Sequence, residues 1–178
     1  EDAREGLTSY ATDVIINRFI IKNGRALAFG GGVNTGGDLS IRNSIIHNNT
    51  APQSGGGIFN MGILVLDHVS IYDNVSGTGF GLGSGQGGGI SSPNGISLTI
   101  SNSAIFNNTA DYGGGINAVS GTVNIVNSTI SQNVASMYGG GIWNSSYLTL
   151  NNVSVTDNSA LTGGGIYNQN NNSNSLVI

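Results

Sequence analysis

At 178 residues, with 8% charged side chains, no cysteine and a formal net charge of −4, the chain has the length of one domain and no disulfide framework. It also lacks the basic stripe that nucleic acid requires. No run approaches 18 consecutive apolar residues, so no membrane-spanning helix is expected, and no basic-then-apolar leader stands at Glu1.

Residues 1–12 are charged and non-repetitive and are expected to form a cap or arm. From residue 13 to 178 one motif recurs, which predicts a single repeat domain. Gly-Gly-Gly followed by Val or Ile begins at Gly30, Gly55, Gly87, Gly113, Gly139 and Gly163, at steps of 25, 32, 26, 26 and 24 residues. A unit of this length cannot bury its apolar side alone, so successive copies must stack as a solenoid.

After each triplet come an apolar residue, a turn, Leu-x-Ile, Asn, Ser or Val, x, Ile or Val, two variable positions, Asn, x and Ala. In the fourth copy these are Ile116, Val123, Ile125, Asn127, Ser128, Ile130, Asn133 and Ala135. Pairs two apart put alternate side chains on one face, which is strand periodicity, and nothing runs at helical spacing. The expectation is an all-β, right-handed parallel β-helix of six to seven coils with three short strands per coil. Glycine permits positive φ and close backbone approach at the tight corner of each coil. A phosphate-binding loop would need a following helix, and these triplets lead into apolar strands.

The column Asn23, Asn49, Asn74, Asn108, Asn133, Asn158 is expected to point inward as a structural ladder of bonded amides. A second column, Asn43, Asn102, Asn127 and Asn152 with His68 in one copy, is expected to do the same at another corner. The long step inserts residues 77–86, where Phe80 and Leu82 lie among glycines; inserted solenoid loops often carry contacts. Phe59, Trp143 and Tyr167 share the position after the triplet's Val or Ile, and Tyr112 and Tyr138 precede triplets. Exposed there, they would offer a contact surface for glycans or a neighbouring protein; folded down, they would cover the glycine corner.

Seven Asn-x-Ser/Thr sequons occur. Asn74, Asn127 and Asn152 fall in the expected inward columns, whereas Asn48, Asn107 and Asn171 are expected outward as glycosylation candidates. The five basic residues all lie in the first quarter, and from residue 43 onward only four aspartates carry charge. Asp73 and Asp157 align three coils apart, roughly 14 Å at strand spacing, too far for a paired-carboxylate mechanism. No metal-ligand spacing links His47, His68 and the aspartates. Neither catalysis, a cofactor nor a metal is therefore expected.

The GGGI units, as at Gly113 to Ile116, together with Ile-Phe-Asn-Asn at Ile105 to Asn108, resemble the GGA-I and F-x-x-N repeats of chlamydial polymorphic membrane proteins, and more loosely the pectin-lyase-like superfamily. That resemblance implies a right-handed β-helix and an extracellular or cell-surface setting, with a glycan-binding adhesin segment or a polysaccharide lyase or hydrolase as the alternatives to a structural role. Leu176, Val177 and Ile178 repeat the start of the Leu148 strand. A coil begun there would be completed by the strand type of Val14, Ile15 and Ile16 in another copy. The expected partner is the chain itself, joined end to end as a filament or surface stalk.

Overall fold

The computed structural model describes residues 7–77 and 85–169 and the backbone of Leu176–Val177. It is all-β, a parallel solenoid of about six turns. Successive coils stack their strands into three parallel sheets of seven, nine and four strands. The first sheet stacks Leu7–Ser9, Val33–Thr35, Ile58–Asn60, Ile90–Ser92, Ile116–Ala118, Ile142–Asn144 and Ile166–Asn168. Leu7–Ser9, within the expected cap or arm, thus pairs in register with Val33–Thr35. The second sheet is built on Leu39–His47, Ile63–Tyr72, Thr122–Ser131 and Tyr147–Thr156, and the third on Thr50–Ala51, Val75–Ser76, Thr109–Tyr112 and Val134–Tyr138.

Stacking of like on like makes the core. Leu39, Leu64, Leu98, Val123 and Leu148 form one buried file, and Ile41, Leu66, Ile100, Ile125 and Leu150 another two residues on. Ile46, Ile71, Ile105 and Ile130 form a third, facing Val33, Ile58, Ile90, Ile116 and Ile142 from the first sheet. Parallel pairing at about 4.8 Å lets each inward side chain pack on its equivalent above and below.

Two corners depend on residues in the left-handed region. Asn43, His68, Asn102, Asn127 and Asn152, at φ 47° to 54°, bend the second-sheet strand midway. All five are exposed, which corrects the inward placement expected for this column. The inner side of that bend belongs to the next residue. Ser44, Ser103 and Ser128 point inward, each hydroxyl donating to the carbonyl two residues back at 2.6–2.7 Å. Each also accepts an N–H from the preceding coil, as from Val69 to Ser103 Oγ at 3.0 Å.

At the second corner Asn23, Asn48, Asp73, Asn107, Gln132 and Asp157 are left-handed, with φ between 53° and 59°. The buried ladder follows one residue later. Asn49, Asn74, Asn108 and Asn133 each donate both the backbone N–H and Nδ2 to Oδ1 of the next ladder asparagine, at 2.9–3.0 Å. Their Nδ2 also reaches back to a carbonyl of the preceding coil, such as Ile71 O from Asn108 at 3.0 Å. Each amide thereby ties three coils together. Asn23 is not part of this ladder, contrary to expectation: the register aligns Lys22 with His47, so Gly24 holds the ladder position and donates its N–H to Asn49 Oδ1 at 2.9 Å. Asn23 is exposed.

The triplets close the narrow side of the coil. In the fourth copy Gly113 has φ +60°, the middle Gly114 lies against the backbone of Val134 and Gly140, and Gly115 packs on the Asn133 amide. The third position thus seats the asparagine ladder, and the second lets two backbones approach where no Cβ fits.

Candidate functional site

The tight turn at each triplet brings two outward columns together. One precedes the triplet: Phe29, Ser54, Gln86, Tyr112, Tyr138 and Thr162, linked by parallel bridges. The other follows its Val or Ile: Asn34, Phe59, Ser91, Asn117, Trp143 and Tyr167. Between them runs a furrow along the solenoid axis.

Side chains of the first column lean over the second column one coil further on. Phe29 stacks on Phe59 with centroids 4.8 Å apart, and Tyr138 meets Tyr167 at 4.7 Å. Tyr112 also stacks on Tyr138 at 5.8 Å. These rings pack on one another and shield the corner, so Phe59 is buried and takes the covering role, one of the two expected for this column, and Trp143 and Tyr167 are half-buried. A second stack, His47 on Tyr72 on Phe106 at 4.9 and 4.8 Å, lies on the second sheet and was signalled by the residue immediately after Ile46, Ile71 and Ile105.

Part of the furrow is not filled. A hollow of about 480 Å³ is lined by Phe29, Gln53, Ser54, Phe59, Gln86, Pro93 and Asn94, with no charged side chain among them. Beside it, Ser91 Oγ is buried without a hydrogen-bond partner, as is Asn117 Oδ1 one coil on. Phe80 and Leu82, expected to make contacts from the inserted loop, lie outside the described residues. At the neck of that insertion Asp111 is buried, accepting from Gly85 N at 3.0 Å and from the Ser136 hydroxyl.

The carboxylates do not converge. Among the described residues no three of His, Cys, Asp and Glu gather as a metal site would need. Asp67 accepts from Asn102 Nδ2 at 2.8 Å and Ser101 Oγ at 2.9 Å, with His68 Nδ1 3.1 Å away. These bonds, Asn102's foremost, hold its carboxyl down from the ordinary 3.8 to about 2. A carboxyl that stays ionised to such a pH suits a strut on the exposed amide column, not a proton donor. Because the folded value is depressed, the contribution of these bonds is present above about pH 4 and is lost as pH falls through about 2. Asn102→Ala is expected to return the Asp67 midpoint toward its ordinary value in an NMR titration of side-chain carboxyls; a parent midpoint already near 4 would contradict this account.

Among the sequons, Asn48 and Asn107 are exposed as expected, while Asn74 and Asn144 are buried. Asn127 and Asn152, expected inward, are exposed and joined to each other by a 2.9 Å amide bond. Asn171 lies outside the described residues.

Apolar side chains are exposed at both ends of the described solenoid. Eleven large apolar side chains are exposed among the described residues, and seven of them (Leu7, Tyr10, Ile15, Phe19, Ile20, Leu27 and Phe29) belong to the first coil. Val14 and Ile16 point inward there, whereas Ile15 faces out. Over the last full coil a hollow of about 640 Å³ is lined by Thr149, Leu150, Asn151, Asn152, Val153, Val155 and Ile166. Leu176–Val177 pairs only with Leu148 and Thr149 at its edge, and Ile178 lies outside the described residues. No family model, curated protein or solved structure matches the chain.

Proposed function

We propose that this chain is a non-enzymatic structural protein of the cell exterior, a β-solenoid that lengthens by seating the first coil of one copy on the last coil of another. The observation that carries the proposal is the crowding of exposed apolar side chains on the first coil, set against the apolar hollow lined by Val153, Val155 and Ile166 at the opposite end. Surfaces of this kind are stable in water only when covered, and strand edges in one register invite a further strand. The faces differ, so the contact is heterologous and does not close, which yields a filament or stalk. The exterior setting is supported by a skin of amides and hydroxyls and by the repeat's resemblance to polymorphic membrane proteins. Glycan on Asn48 and Asn107 belongs to the same reading, and the intact mass of naturally sourced chain would test it.

Complementary variants test the assembly. A head variant carries Phe19→Asp and Ile20→Asp, and a tail variant carries Val155→Asp, each checked for folding by circular dichroism. In sedimentation velocity the parent should form a concentration-dependent series, and each variant alone should stay monomeric. Their mixture should stop at one-to-one dimers, because only one competent interface remains. A parent that is monomeric at every concentration, or a head variant that assembles as the parent does, defeats the proposal.

A further inference from the structure

The furrow carries a ring in every coil but the third, where Gln86 and Ser91 stand. First-column residues lean onto the second column one coil later, as Phe29 does on Phe59 and Tyr138 on Tyr167. By the same register Ser54 is diagonal to Ser91 and Gln86 to Asn117, so neither diagonal through the third coil holds a ring. The vacancy is the 480 Å³ hollow, floored on one side by the Phe29 and Phe59 pair.

Its chemistry is specific. Gln53 and Asn94 are exposed at the rim and Gln86 is half-buried. An aromatic side chain would fill the space but leave these amides unmatched. A pyranose presents a flat C–H face to the phenylalanines and hydroxyls to the amides around it. The absence of charge in the lining favours a neutral sugar over an acidic one.

We infer that this vacant rung binds one hexopyranose unit of a neutral glycan, packed against the Phe29 and Phe59 pair and hydrogen-bonded by Gln53, Gln86 and Asn94. The site is lateral and independent of the axial assembly proposed above. A single ring of some twelve heavy atoms at ordinary ligand efficiency binds with a dissociation constant on the order of millimolar.

The test titrates the full chain with maltotetraose, cellotetraose and chitotetraose, following side-chain amide and backbone N–H shifts by NMR. Tetragalacturonate and p-cresol serve as the acidic and aromatic comparisons. At least one neutral tetrasaccharide should shift the Gln53, Gln86 and Asn94 amides. Phe29→Ala should weaken it by about tenfold. Ser54→Phe, at a residue that lines the hollow, fills the rung and should abolish binding; Gln86→Phe does the same from the next coil if the first variant folds poorly. Asn127→Ala, on another corner, should leave binding unchanged. The inference fails if no neutral sugar shifts these groups, if p-cresol or tetragalacturonate binds there while the neutral sugars do not, or if a folded rung-filling variant binds as the parent does.

Discussion

Asn108→Ala is expected to destabilise the solenoid by about 4 kcal/mol, the upper end for a single substitution. Asn108 is fully buried, and its Oδ1 accepts both the backbone N–H and Nδ2 of Asn74 at 3.0 Å. Its Nδ2 donates to Asn133 Oδ1, Ile71 O and Phe106 O, all at 3.0 Å. Alanine removes the amide and takes the Oδ1 acceptor from the buried Asn74 N–H, while Asn133 Oδ1 keeps only the backbone N–H of residue 108. An unmet buried polar group costs about 1–3 kcal/mol, and the vacated volume adds a cavity term. Asn74 Nδ2 retains Ile46 O, but the Asn74 backbone N–H loses Asn108 Oδ1, its acceptor. Asn127→Ala is the comparison, an exposed amide bonded along the outer corner, and should cost about 1 kcal/mol, the strain of alanine at φ 48°. Urea midpoints at equal m-value separate the two; a difference under about 1 kcal/mol would mean that the ladder does not hold the coils.

Much of this architecture was legible in the residue spacing. The triplet period set the coil, the Leu-x-Ile pairs set the inward files, and the asparagine after each Ile-x-x placed the ladder from Asn49 onward. Two errors came from carrying strand alternation through a left-handed corner. Between Ile125 and Ser128, both inward, two residues intervene, so Val126 and Asn127 must both face out. Asn23 stands two residues after Ile21, whereas Asn49, Asn74 and Asn108 stand three after Ile46, Ile71 and Ile105. That one-residue deficit marks it as the corner residue ahead of Gly24. The empty rung was harder to see. It depends on a diagonal lean between columns of successive coils, a direction of side-chain packing that no spacing within one repeat encodes.

Gly114→Ala is expected to cost about 3 kcal/mol or more, enough to prevent folding in a marginal chain. A Cβ at Gly114 would lie 2.5 Å from Val134 O and 2.6 Å from Gly140 O, one across its own coil and one on the next. Both are backbone atoms held in ladders, Gly140 donating to Gly163 O at 3.2 Å and Val134 to Asn108 O at 2.9 Å. Neither can swing aside as a side chain would, so relief requires moving two coils and lengthening the bonds between them. Gly165→Ala separates this steric cause from any general cost of removing glycine. There the nearest atom to a new Cβ among the described residues is Val155 Cγ1 at 3.5 Å, an ordinary contact. With nothing to displace, the restricted unfolded chain should leave Gly165→Ala neutral or more stable by up to about 1 kcal/mol. Thermal melts of the two variants should therefore diverge on either side of the parent, and equal losses from both would show that glycine's backbone freedom, not the approach of neighbouring coils, selects the triplet.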